Sequence, residues 1–426
     1  MYSPIRLSWL LLLFLLPATA FCSGGIFTDT VKLDLKGAEQ RFADQNITLL
    51  IAKSNIDQQK ALLLQSKIWE NPQIALNREL YNTQSKTFLS HNSNTEFDLQ
   101  YTQLITTAGK YFKQIQLNKQ NVTLSEYQFY DQMRLLKLAL VQSFYDLNQN
   151  QQKLTVIQEG TSELEKLIEV MQVQVDKGNA ARKELVRLQS LMLDYNTEQT
   201  ELSNQVAEGE ADLKQLLNYG GSEYIVTIAD SAAELPPKIE ALTFDSLEST
   251  AEQNRYDLLA ANLQSDMGKN AWQLEKMRGA PDLNMGFDFD RLGSAYPNYF
   301  GLVVGLPLPL WNFNQGNIKA AKFQYEQYQL EQKSKALEVH SNLMSAYAEL
   351  LNENKLFKSV DKKYYDSFTE LYRNVYDSYK NRTIGLLEFL DYFDSYKSTK
   401  FNLIEIETGL LKQAGQLNYE TGKDIL

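Results

Sequence analysis

The chain has 426 residues, 43% of them hydrophobic, and a formal net charge of −11. A pI near 5.0 and a mean hydropathy of −0.38 exclude a bundle of membrane helices and argue against a nucleic-acid partner, because nothing would neutralise the phosphates. Cys22, His91 and His340 are the only residues of their kinds. Zinc or copper ligand clusters cannot be assembled from so few, and catalytic Cys–His or Ser–His pairs are equally poorly supplied, so no cofactor, metal site or enzyme chemistry is expected.

Arg6 precedes the apolar run LSWLLLLFLL, and Pro17 with Ala18-Thr19-Ala20 supplies a small-residue cleavage pattern. Residues 1–20 read as a secretory signal peptide, too short for a spanning anchor. Cys22 follows the predicted cut, but Phe21 is not the small residue that a lipid-attachment site wants. No other stretch reaches the roughly 18 apolar residues of a transmembrane helix.

Residues 21–217 form a first unit: a helix, a β-hairpin at about 73–105, a long helix at about 108–177, a tip turn at about 178–182 and a return helix at about 183–217. In the hairpin, QIALNREL (73–80) has an apolar row that Arg78 interrupts. TEFDLQYTQL (95–104) alternates strictly, with Phe97, Leu99 and Tyr101 on one face and Glu96, Asp98, Gln100 and Thr102 on the other. In the return helix Leu185, Leu188, Met192, Tyr195, Gln199, Leu202, Val206, Gly209, Leu213 and Leu216 alternate steps of three and four, which is coiled-coil spacing. Leu140, Phe144, Leu147, Gln151 and Leu154 begin a second such series on the long helix.

The turn-rich segment 218–240 follows as a linker, with one strand candidate, YIVTI, and a Pro-Pro pair. Residues 241–426 then repeat the order: a hairpin at about 282–308, a long helix at about 314–381, a tip turn at about 382–385 and a return helix at about 386–420. DLNMGFDFD (282–290) and NYFGLVVGL (298–306) alternate like the first hairpin. The stretch 314–381 has no proline and a single glycine at its edge, which predicts one continuous rod of about 67 residues and about 100 Å.

Four landmark pairs support a tandem duplication: QNITLLIAK with QNRYDLLAA, ENPQIAL with GAPDLNM, Gly109 with Gly316, and GNAARKELV with RTIGLLEFL. They lie 204 to 209 residues apart. The strands are about 9–11 residues long, enough to cross a bilayer when tilted. Their polar face suits a wet lumen, and Trp69, Tyr81, Tyr101, Tyr296, Tyr299, Trp311 and Phe313 gather near their ends. Four strands cannot close around a lumen alone, so a membrane barrel requires oligomers. Pro307 and Pro309 end the last strand where the ladder no longer needs their N–H groups. After Trp311, Asn312 and Asn314 are placed to cap the next helix, and Gly316 to permit tight packing at the barrel–helix junction.

NPQIAL, APDLNM, QLITTAGK (103–110), PLPLWNFNQGNIKAA (307–321), GNAARKELV (178–186) and RTIGLLEFLD (382–391) together resemble the TolC-like outer-membrane efflux protein family, most closely its heavy-metal cation efflux branch. The resemblance implies an α+β membrane protein of two tandem repeats. Three copies would close a 12-stranded outer-membrane β-barrel, and their coiled-coil helices would form a periplasmic α-barrel. Such a homotrimer sits in outer-membrane lipid and docks onto a periplasmic membrane-fusion adaptor and an inner-membrane pump, with the resistance-nodulation-division class as one candidate. The adaptor-docking tip turns fall on Gly178, Asn179, Arg382 and Gly385. Arg382 occupies the place of the family's tip glycine in the second repeat, with Gly385 three residues later. The family's gate acids fall on Glu388 and Asp391, which would line the periplasmic entrance and favour cations.

Three other readings are weighed. A soluble periplasmic coiled-coil adaptor has no need of amphiphilic hairpins, and a hydrolase would need acids flanking a compact cleft. An outlet for type I protein secretion shares the fold with an efflux outlet.

Overall fold

The computed structural model of the chain describes residues 29–83, 85–89, 96–292, 296–360 and 362–426. The expected signal peptide, Cys22 and His91 lie outside them. The first repeat opens with β1 (Thr30–Asp34), α1 (Leu35–Gln45) and α2 (Ile47–Ser66). Asn46 joins the two helices: its side chain accepts from the Leu49 amide at 3.1 Å and donates to the Leu216 carbonyl at 2.8 Å. Then come β2 (Gln73–Arg78), a two-rung hairpin of β3 (Tyr81–Asn82) and β4 (Thr87–Phe88), and β5 (Phe97–Ile105). The helices α3 (Lys110–Asp176) and α4 (Arg182–Leu216) complete the repeat. A connecting segment carries β6 (Tyr224–Ile228) and α5 (Leu235–Glu240). The second repeat consists of α6 (Phe244–Asn254), α7 (Tyr256–Arg278), β7 (Leu283–Leu292), β8 (Tyr296–Gly305), α8 (Gln315–Ser359), α9 (Lys362–Lys380) and α10 (Leu386–Thr421).

The two hairpins meet in one antiparallel sheet of order β2-β5-β7-β8. β2 and β7 run away from the helices and β5 and β8 run back, so all long helices leave from one end of the sheet. The 67 residues of α3 make a rod of about 100 Å. A helix that long is held by partners along its length, here α2, α4, α7 and α10. Two apolar clusters do the holding. One gathers Leu140, Phe144 and Leu147 of α3 with Leu213, Leu350, Leu410 and Ile225. The other lies toward the helical tip and is more aromatic: Leu164, Leu188 and Tyr195 pack with Tyr372, Phe389 and Phe393.

The structure differs from the predicted second rod. Helix α8 stops at Ser359, and Val360 is extended, with φ −72° and ψ 110°. No described side chain between Asn354 and Tyr372 is buried. Without a packed seam, a β-branched valine beside Lys358, Lys362 and Lys363 has little to hold it in a helix.

The strand candidate YIVTI is β6, and its partner escaped the sequence reading. β1 pairs with it in parallel, Thr30 opposite Tyr224 through Asp34 opposite Ile228. Nearby, the end of α10 is pinned by a buried ion cluster. Arg255 pairs with Asp257 at 2.7 Å and with Glu420, and Arg134 donates to the Tyr419 carbonyl at 2.8 Å.

Candidate functional site

The sheet register sorts side chains into two faces. Leu76, Leu99, Phe289 and Phe300 stand opposite one another across all four strands, and Ile74, Tyr101, Phe287 and Leu302 form the next such row. Alternating with them, on the other face, run Asn77, Asp98, Asp290 and Tyr299, and then Ala75, Gln100, Asp288 and Gly301. The apolar face is bare: Ile74 is 71% exposed and Phe300 79%. In water such a face is strongly unfavourable, and in lipid it is what a barrel wall presents. Tyr101, expected near a strand end, lies in the middle of this apolar band instead.

Prolines 307 and 309 follow the end of β8, and Trp311 beyond them is 85% exposed. Here the local geometry departs from expectation. Asn314 is the residue before α8 but does not cap it: its backbone is left-handed, φ 64°, and its side-chain amide donates to the Glu275 carbonyl and carboxylate at 2.8 and 2.7 Å. It thus ties the start of α8 to the end of α7. The residue with the same conformation in the first repeat is Gly109, φ 75°, just before α3. Asn314 is therefore the conformational counterpart of Gly109, because asparagine is the side chain that best tolerates a left-handed backbone. Gly316 sits at no close contact: a Cβ there would meet nothing within 4 Å.

Both tip turns are built alike. After α3, Gly178 takes φ 71°, its N–H bonds the Val175 carbonyl at 2.9 Å, and the Asn179 N–H bonds that of Gln174 at 2.8 Å. After α9, Arg382 takes φ 63°, its N–H bonds the Tyr379 carbonyl, and the Thr383 N–H bonds that of Ser378, both at 2.9 Å. This is the same helix-ending motif, with arginine in the place that glycine fills more cheaply. Gly385 plays a different part, preceding α10 in extended conformation. The two turns touch: Arg382 Nη1 donates to the Asn179 carbonyl at 3.2 Å. A cleft of about 290 Å³ lies between them, lined by Met171, Glu184, Tyr379 and Leu386 among others. Burial, with the Glu184 charge adding and Arg382 opposing, pushes the Tyr379 phenol up to about 12.

Glu388 and Asp391 are exposed on the first turns of α10, while Leu386, Phe389 and Phe393 are buried. At 100° per residue the two acids lie about 60° apart, on the side of the helix facing away from its packed seam. Neither makes an ion pair among the described residues, whereas Asp394 lies 3.6 Å from Lys397. The sequence reading put carboxylates on the polar face of the strands but did not name them as site residues. Asp98, Asp288 and Asp290 share the polar face, and their pairing register was not legible from either strand alone.

No helix of the described residues is long and apolar enough to cross a membrane, and no group of three metal-capable side chains occurs among them. The architecture is two hairpins paired in one sheet, each feeding a long helix pair. Residues 247–404 match the family described as outer membrane efflux protein. No curated protein sequence matches the chain. Solved structures with a similar fold include CusC, at 15% identity over 91% of this chain and 92% of that one, TM-score 0.72. The CmeC outer membrane channel of Campylobacter jejuni is 13% identical over 92% of this chain and 86% of that one, TM-score 0.73. The open-state MtrE outer membrane channel of Neisseria gonorrhoeae is 13% identical over 92% and 89%, TM-score 0.70. The family match over residues 247–404 and the whole-chain likeness in fold both point to outer membrane efflux channels as the proteins this chain is similar to.

Proposed function

We propose that three copies of this chain form an outer-membrane efflux conduit, taking cargo from a periplasmic adaptor and an inner-membrane pump to the exterior. The observation that carries this reading is a four-stranded sheet with one exposed apolar face, one polar face, and two open edges, β2 and β8. Because β2 runs outward and β8 inward, the edge of one copy meets the edge of the next antiparallel. Three such junctions close twelve strands and leave no unpaired edge in lipid.

The helices support the same assembly. Phe323, Leu330, Leu337, Met344 and Leu351 recur every seven residues along α8 and are all exposed. Ile47, Leu50 and Ile51 of α2 are exposed as well, and α2 runs antiparallel to α8 at the opposite flank of the subunit. A heptad stripe is coiled-coil surface that lacks its partner, and the neighbouring copy supplies one.

Glu388 and Asp391, facing away from the packed seam, would then form rings of acid around the narrow periplasmic entrance. Asp98, Asp288 and Asp290 would line the barrel lumen above it. Fixed negative charge along both ends favours small cationic cargo, because like charges at close range are relieved by a cation. The tip turns at Gly178, Asn179, Arg382 and Gly385 present the adaptor-facing end. Planar-bilayer recording of the purified trimer tests the reading. Stepwise, cation-selective conductance that weakens in Glu388→Gln/Asp391→Asn supports it, and a folded trimer that never conducts contradicts it.

A further inference from the structure

The two tip turns share a backbone but not a charge. With Gly178 set against Arg382, the repeats stand 204 residues apart here. Glu184 and Glu388 then coincide, each in the first turn of its helix. Around them the chemistry diverges: Lys183 takes the place of Leu387, and Arg187 the place of Asp391. The stretch 172–188 holds four cations and two acids, whereas its counterpart 376–392 holds two cations and three acids. The first tip is therefore basic, in a chain whose net charge is −11.

The four cations are presented outward. Lys177, Arg182, Lys183 and Arg187 are exposed, and none makes a side-chain hydrogen bond or ion pair among the described residues. Lys183 and Arg187 stand one turn apart on α4, each about 100° or more around the helix from the buried Leu185 and Leu188. Arg182 and Lys183 open α4, whose first amides receive no side-chain cap from Ala181. The macrodipole and free amides already make that end positive, so the cations reinforce the field instead of offsetting it. The end lies about 100 Å from the sheet, beyond the lipid around the barrel, and side-by-side packing of copies leaves it open.

We propose that Lys177, Arg182, Lys183 and Arg187 form a basic docking collar for an acidic, Asp- and Glu-bearing end of the periplasmic adaptor, an inference that rests on the adaptor reading above. Charge complementarity selects this occupant: two guanidinium forks match carboxylates, and two ammonium groups add to the attraction. The second tip repels the same segment, because it carries an excess of acid and shows the apolar Leu387 where the first shows Lys183. Each subunit thus presents two chemically different ends, and the acidic segment is sorted to the first of them.

The test places a benzoylphenylalanine photoprobe at Val186 or at Leu387, both exposed, in the full chain within its producing cell. Mass spectrometry reads the sequence of each crosslinked segment. At Val186 an acidic segment of a periplasmic protein is expected, and Lys183→Glu/Arg187→Glu is expected to lower its yield about tenfold or more. A neutral or basic segment, a yield indifferent to charge reversal, or phospholipid attached at Val186 overturns the collar. Should the reversed variant not assemble, the wild type in isolated membranes decides: a Val186 yield that falls as salt rises supports the collar, and a salt-independent yield refutes it. A crosslink at Leu387 to a periplasmic protein, with none at Val186, overturns only the collar. Absence of protein crosslinks at both tips contradicts the adaptor reading itself.

Discussion

The Arg382 guanidinium reaches across the helical tip to the backbone carbonyl of Asn179, joining the second tip turn to the first at 3.2 Å. The same residue holds a left-handed backbone that costs a non-glycine residue about 1 kcal/mol or more. Arg382→Gly removes both the bond and the strain, so it should change tip stability little. Arg382→Ala removes the bond and keeps the strain, and should be about 1 kcal/mol less stable than the glycine variant. Gly178→Ala, which meets no neighbour within 4 Å, should lose a similar amount through backbone strain alone. Hydrogen exchange at the ends of α3 and α9 checks the order.

The two sheet faces should respond oppositely to charge. Phe287→Arg places a cation in the middle of the lipid-facing band and is expected to cost about 2–4 kcal/mol of barrel stability. Asp288→Asn, next to it in sequence but on the polar face, should leave assembly intact and lower cation preference. Trimer dissociation temperature and reversal potential separate the two.

The buried ion cluster at the end of α10 makes a further prediction. Replacing Arg255 with leucine strands Asp257 and Glu420, which are 13% and 6% exposed, and is expected to cost about 3–5 kcal/mol. Burial alone would raise the Asp257 carboxyl, but the hydrogen bond and charge of Arg255, with Arg134 adding, hold it below its ordinary value. Its contribution is therefore complete above the unfolded carboxylate value of about 3.9 and is lost as pH falls through the lower folded one. Urea midpoints measured between pH 7 and pH 3 should show a decline at the acid end that is shallower in Asp257→Asn.

The heptad stripe on α8 should matter only to assembly. Leu337→Glu puts a carboxylate at each of three subunit junctions, while the residue touches little within its own chain. Loss of about 1.5–3 kcal/mol per buried leucine should lower the trimer dissociation temperature and leave subunit helicity unchanged by circular dichroism.

What could be read from sequence followed from period. Strict alternation marked β5, β7 and β8, and steps of three and four marked α4, because burial on one face writes itself into a single strand or helix. Relations between distant segments left less trace. The pairing of β1 with β6 joins Thr30 to Tyr224, and five residues of TVKLD carry too short a pattern to reveal it. Gly109 was aligned with Gly316 because both are glycine, whereas the shared left-handed backbone belongs to Asn314. The break at Val360 arises from missing neighbours rather than from a breaker residue, so composition alone did not show it.

The most direct measurement is disulfide scanning across the proposed subunit junction. With Cys22 replaced, single pairs would join Ile74 of β2 to Phe300, Leu302 or Val304 of β8, all on the same face of the sheet. Within one chain these strands lie at opposite edges, so every cross-link must be between copies. The account expects one register to give a detergent-gel ladder that closes at three chains. Absence of intermolecular links in all registers, from protein that stays soluble and monomeric without detergent, would contradict it.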